Sequence, residues 1–126
     1  MKKIYLLICL GLFSSLVFAQ EKVAKIEFKS EIIDYGSIAH NSDGIRVFEF
    51  TNTGDAPLII TQVSSSCGCT IPKKPEAPIM PGKTGEIQVK YDTSRVGPIR
   101  KAVTVNSNAD TPTKVLTIKG QVKSPE

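Results

Sequence analysis

From residue 24 to residue 122 the chain alternates apolar and polar side chains with a period of two. Ile87, Val89 and Tyr91 alternate with Glu86, Gln88 and Lys90; Val103 and Val105 alternate with Ala102 and Thr104; Leu116, Ile118 and Val122 alternate with Thr117, Lys119 and Gln121. Successive side chains of a strand point to opposite faces, so this period marks strands with one face buried. Turn formers punctuate the runs: Tyr35-Gly36, Asn41-Ser42-Asp43-Gly44, Thr53-Gly54-Asp55, Pro81-Gly82 with Gly85, Val96-Gly97-Pro98 and Asn106 to Asp110. The pattern predicts about seven strands, near 24–28, 31–35, 45–52, 58–65, 85–92, 99–106 and 114–122. No stretch of this part repeats at the helical period. Short strands without intervening helices predict an all-β domain, a sandwich of two antiparallel sheets.

A sandwich of the antibody type would carry a core tryptophan between two cysteines on opposite sheets. Here there is no Trp, and Cys67 and Cys69 are two residues apart, which excludes that subtype but not the architecture. Phe28, Phe48, Phe50 and Tyr91 are the expected core fillers.

The first residues follow another pattern. Met1-Lys2-Lys3 precede an apolar run from Ile4 to Phe13, then Ser14-Ser15 and Val17-Phe18-Ala19 before Gln20. A positive start, an apolar core and a small residue at the cut are the layout of a secretory signal, predicting residues 1–19 as signal peptide and cleavage between Ala19 and Gln20. The apolar run is shorter than the ~20 residues that span a bilayer, so no membrane span is expected after cleavage. Cys9 lies inside that run and is followed by Leu10-Gly11-Leu12, which does not suit a lipid-anchored start. Residues 20–126 then form a single domain, exported to the periplasm or the medium.

Charge narrows the partners. The whole chain carries 16 basic and 12 acidic residues, a net charge of +4, and loss of Lys2 and Lys3 lowers it to +2. The remaining charges alternate in sign along the strands, as in Lys22 to Glu27 and Glu86 to Lys90, which describes solvated faces and not a nucleic-acid or lipid surface. A protein partner or a cell-envelope component remains. Pro72, Pro75, Pro78 and Pro81 fall at every third position. They predict a stiff, unpaired crossover between the sheets, since proline lacks the donor that a central strand needs.

Reactive side chains are concentrated in Ser64-Ser65-Ser66-Cys67-Gly68-Cys69-Thr70. On a regular strand the two cysteines would share a face about 6.6 Å apart, too far for a disulfide. A bridge therefore requires a bend at Gly68, a residue that reaches positive φ at little cost. Three chemistries compete: a structural disulfide or labile staple in an oxidising compartment, a redox-active thiol pair, and two thiolates on copper or zinc. Metal binding is short of ligands, as His40 is the sole histidine and Met80 the sole methionine beyond Met1. Lys73 and Lys74 are the nearest cations in sequence. No G-x-S-x-G elbow, glycine-rich phosphate loop or spaced carboxylate pair is present, so no enzyme and no cofactor is expected.

Phe48 to Ile60, with Asn52-Thr53-Gly54-Asp55 at its centre, then Ser66-Cys67-Gly68-Cys69-Thr70, Pro81-Gly82, Tyr91-Asp92-Thr93 and Lys119-Gly120, resemble the exported bacterial family called domain of unknown function 1573. The resemblance covers nearly all of residues 20–126. It implies an immunoglobulin-like sandwich, similar to major sperm protein and hydin-type domains, and no settled activity. Only Cys67, Gly68 and Cys69 correspond to the family's characteristic motif. The function expected is that of a binding or structural module acting through a sheet face or an edge strand; the competing class is a copper, zinc or redox protein built on Cys67 and Cys69.

Overall fold

A computed structural model describes residues 22–125, so the expected signal peptide, its expected cut between Ala19 and Gln20, and Cys9 lie outside the described residues. Among the described residues eight strands form: β1 (Ile26–Phe28), β2 (Ile32–Ile38), β3 (Ile45–Asn52), β4 (Ile60–Ser65), β5 (Thr70–Lys73), β6 (Thr84–Tyr91), β7 (Gly97–Ser107) and β8 (Thr113–Val122). They make two four-stranded sheets, ordered β1-β3-β6-β5 and β2-β8-β7-β4.

The alternating side chains fall as expected. Ile87, Val89 and Tyr91 of β6, Val103 and Val105 of β7, and Leu116, Ile118 and Val122 of β8 are all buried, with Phe28, Phe48 and Phe50 from the first sheet. Phe28 and Phe50 pack at 5.5 Å between ring centroids. Each large apolar side chain taken from water contributes about 1.5–3 kcal/mol.

Three expectations change. The first is that all pairing is antiparallel: β2 instead runs parallel to β8, with Ile33 opposite Ile118 and Ile38 opposite Val122. The bulge in β2 between Asp34 and Ser37 sits where Gly120 comes so close that a Cβ there would lie 2.8 Å from the Gly36 carbonyl oxygen. The second is the missing strand, β5. It pairs antiparallel with β6, Pro72 opposite Val89. Thr70, which shares the parity of Pro72, sends its N–H to the Cys67 carbonyl and not to β6. The donor that proline lacks is thus one the ladder does not use, and an edge strand tolerates it.

The third change is the crossover. β4 belongs to one sheet and β5 to the other, so the chain changes sheets at Ser66–Cys69. The prolines from 75 to 81 lie instead on the connection from β5 to its neighbour β6 within one sheet, where Leu58 and Ile79 pair through reciprocal main-chain hydrogen bonds of 2.8 Å.

The Asn52-Thr53-Gly54-Asp55 turn fastens the start of the domain. The Asn52 side chain is fully buried; its Nδ2 donates to the carbonyls of Ala56 (2.7 Å) and Ile79 (2.9 Å), and its Oδ1 accepts from the N–H of Gly54 and Lys25. Asp55 binds the Val23 N–H at 2.7 Å, and a Cβ on Gly54 would lie 2.1 Å from the Val23 carbonyl oxygen.

Candidate functional site

The Cys67–Cys69 segment is a turn, not a strand. The Thr70 N–H donates to the Cys67 carbonyl at 3.3 Å, and the Asp92 N–H donates to the Cys69 carbonyl at 2.8 Å. The cysteine Cα atoms are 5.3 Å apart and the sulfur atoms are bonded to each other. The bend expected at Gly68 is present, yet Gly68 is not among the glycines with positive φ, and a Cβ there would meet nothing within 4 Å. The four-residue hydrogen-bonded turn supplies the bend without left-handed backbone.

The two cysteines are not equivalent. Cys69 is 2% exposed and belongs to the core, whereas Cys67 is half-buried at its margin. The Cys69 N–H points at the Cys67 Sγ, 3.1 Å away, and the Cys67 N–H faces Ser65 Oγ. Beside the turn, Asp92 caps its own loop through the Ser94 N–H and hydroxyl, which holds its carboxyl below the usual range. Tyr91 packs edge-on against Tyr35, whose hydroxyl donates to the Gly44 carbonyl at 2.7 Å and whose ring lies under the Arg46 guanidinium at 4.3 Å. Burial raises the Tyr35 pKa to about 12, against a smaller opposing effect of Arg46.

The expected alternative ligands are not gathered here. Met80 sits beside Ile79, level with Leu58 before the start of β4, while Cys67 follows its end. His40 follows β2, the far edge of the four-stranded sheet that β4 borders, and lines a shallow cleft with Ala39, Lys123 and Pro125. Three strand spacings of about 4.8 Å separate those edges. Among the described residues, no three of His, Cys, Asp and Glu come together as a metal site would require. Lys73 and Lys74 leave the turn along and beyond β5.

The sheet change also exposes something the alternating pattern did not show. β4 pairs with β7 only from Ser107 to Val103, where Ser65 is the last partner. β7 continues to Gly97, paired there with β8 alone. Ser107 donates its N–H toward Pro112, on the β8 side, and Asn108 donates toward Ile59, on the β4 side. By the alternation of a strand, even-numbered β7 residues aim their main-chain groups at the β4 side. At Arg100 no strand stands there among the described residues, so that among them a strand position is vacant beside Pro98–Lys101, where the chain leaves the sheet at Ser66–Cys69.

Its flank is basic. Arg100 is exposed and lies directly opposite Lys119, a like-charge pair that destabilises a ladder, while Asp34 of β2 stands opposite Lys119 on its other side. Lys101 shares the inward parity of Ile99 and Val103 and is half-buried. Among the described residues, no carboxylate forms an ion pair with Arg100, Lys101 or Lys119.

Solved structures share this fold. A protein of unknown function from Porphyromonas gingivalis W83 matches with a TM-score of 0.67 at 19% identity, over 86% of this chain and 50% of its own, so the chain spans half the length of that protein. The ASH/PapD-like domain of human CEP192 matches with a TM-score of 0.67 at 12% identity, over 88% of this chain and 95% of the domain. The YadV chaperone matches with a TM-score of 0.54 at 14% identity, over 81% and 53%. At such identities these likenesses establish the immunoglobulin-like, PapD-like sandwich alone. No curated protein matches the chain significantly. The model of the family described as "Protein of unknown function (DUF1573)" matches residues 26–122, nearly the whole sandwich with all its motifs, and the chain belongs to that family.

Proposed function

We propose that this protein is an exported, non-enzymatic binding module that takes an extended acidic segment of a partner protein into the vacant strand position beside β7. The observation that carries this reading is the mismatch between an eleven-residue β7 and a β4 that accompanies it only as far as Ser65. An extended segment in that position gains main-chain hydrogen bonds from Arg100, as in β-strand addition. Acidic side chains on the incoming strand relieve the Arg100–Lys119 repulsion. A second copy docking by the same edge would set Arg100 near Arg100, which disfavours self-pairing.

The other edges suit the role less. β1 has three residues, and β2 and β4 are interrupted by irregularities at Asp34/Ser37 and Ile60/Gln62; β5 carries Pro72 on its open side, as the β7 position itself carries Pro98. Proline, brevity and bulges are the devices by which edges are kept from pairing. The signal-like start supports export, and the chaperone and PapD-like neighbours support protein partners.

The test uses a fluorescent ten-residue peptide of alternating valine and glutamate, with fluorescence anisotropy and amide NMR shifts. Binding is expected to move the amides of Arg100 and Lys101, and Arg100→Glu is expected to weaken it at least tenfold. Arg100→Pro, which removes a donor that β8 does not use, weakens binding while the melting temperature shows the fold intact. Shifts confined to β2 or β5, or affinity indifferent to both substitutions, would overturn the reading.

A further inference from the structure

The disulfide sits where the fold does not depend on it. The Cys67–Thr70 hydrogen bond, the Cys69–Asp92 hydrogen bond and the pairing of Thr70 with Tyr91 already fix the turn. A bridge closing a loop with one intervening residue also restricts little of the unfolded chain. Its opening thus leaves the sandwich in place, unlike a bridge that joins two sheets.

The two sulfurs are placed for different tasks. Cys67 is the less buried of the two cysteines, and the Cys69 N–H, 3.1 Å from its Sγ, is placed to stabilise negative charge there. Cys69 is enclosed, with Thr70 Oγ1 3.8 Å from its Sγ. A half-buried cysteine whose sulfur faces an N–H donor, beside an enclosed one, is an arrangement suited to thiol–disulfide exchange.

We propose that Cys67–Cys69 exchanges with the dithiols of other proteins, Cys67 being the sulfur that forms the mixed disulfide and Cys69 the one that resolves it. A partner thiolate attacks Cys67 Sγ, the Cys67–Cys69 bond breaks, and its electron pair leaves on Cys69 Sγ, which takes a proton from water. The partner's second thiolate then attacks its own bridged sulfur. The partner's disulfide forms, and Cys67 departs as a thiolate facing the Cys69 N–H. When the Cys67 thiolate in turn takes a proton from water, two electrons and, by way of water, the two protons of the partner dithiol have passed to Cys67 and Cys69, now two thiols; the reverse sequence, in which Cys69 resolves the mixed disulfide, reduces a partner disulfide. The exchange stands independently of the β7 edge, since one concerns sulfur chemistry and the other main-chain pairing.

The test has two arms. The purified protein, reduced with dithiothreitol, is pulsed with iodoacetamide, and the labelled cysteine is located by fragment mass spectrometry. Cys67 is expected to be modified at least tenfold faster than Cys69 in the folded protein and at an equal rate in denaturant. In the second arm a reduced synthetic peptide with two cysteines is mixed with oxidised protein. The wild type is expected to return oxidised peptide, and Cys69→Ser, activated at Cys67 by Ellman's disulfide and mixed with a single-cysteine version of the peptide, a mixed disulfide that Cys67→Ser does not yield. The labelling arm on wild type keeps the proposal testable if either variant misfolds. Equal labelling of the two cysteines, collapse of the fold on reduction, or stoichiometric copper or zinc that protects both thiols would overturn it.

Discussion

Two glycines from the most recognisable strings of the sequence play opposite parts. Gly54 lets the turn lie against Val23, where a Cβ would be 2.1 Å from a backbone oxygen; Gly68 has open space around it and ordinary φ. Gly54→Ala is therefore expected to cost about 2 kcal/mol or more through forced displacement of backbone, and Gly68→Ala less than about 0.5 kcal/mol, both read from urea midpoints. Equal costs would mean that the Cys67–Cys69 turn is tighter than described. Tyr35 gives the pH-dependent counterpart. Its phenol titrates near 10 when unfolded and at about 12 when folded, chiefly because burial disfavours the phenolate. A raised pKa makes the folded state hold its proton longer, so this stabilisation is complete below pH 10 and is lost as pH climbs from 10 through 12. The melting temperature is expected to fall more steeply over that window in wild type than in Tyr35→Phe. At this scale the sequence showed which residues mattered but not why: Asn52 reads as a turn former, and only the fold reveals a buried side chain joining Lys25, Gly54, Ala56 and Ile79.

Strands were the most legible elements, because alternation reports directly which face is buried. Val89 and Val105 lie fully inside, while Gln88 and Thr104 between the same neighbours are partly exposed. Val89→Lys or Val105→Lys is expected to abolish cooperative folding, since an unpaired buried charge costs an amount comparable to the ~5–15 kcal/mol that hold a domain together. Gln88→Lys and Thr104→Lys should melt within a few degrees of wild type by circular dichroism. What alternation did not report was pairing. β5 has only four residues and a proline, so its strand character comes from β6 and from an edge position that makes the missing donor harmless. The parallel course of β2 along β8 was hidden for a related reason: direction is set by how the chain travels between strands, and both directions show the same period. The prolines show stiffness in the sequence, which is why they predict the crossover, whereas the turn at Cys67–Thr70 is held by the Thr70 N–H on the Cys67 carbonyl and by the N–H of Asp92, far along the chain, on the Cys69 carbonyl.

At the scale of the whole molecule, the chain is a small sandwich that changes sheets early enough to leave β7 open on one side beside Pro98–Lys101 among the described residues, and its signal-like start is the ground on which export is proposed. Export predicts a mature chain that begins at Gln20; an intact chain retained in the membrane, seen by mass spectrometry of the fractionated cell, would contradict it. Neither the vacancy nor its basic flank was legible in the sequence, because Arg100 and Lys101 read as ordinary polar positions until β4 was seen to stop at Ser65. The most direct test of the vacancy is amide hydrogen exchange, residue by residue, along β7 in the free protein. The N–H groups of Ile99 and Lys101 face β8 and are expected to be protected, as is that of Thr104 facing β4, while the Arg100 N–H exchanges at close to the rate of an unstructured amide. Arg100 protected as strongly as Thr104 in the monomer would show that the strand position is already filled, and would contradict the account.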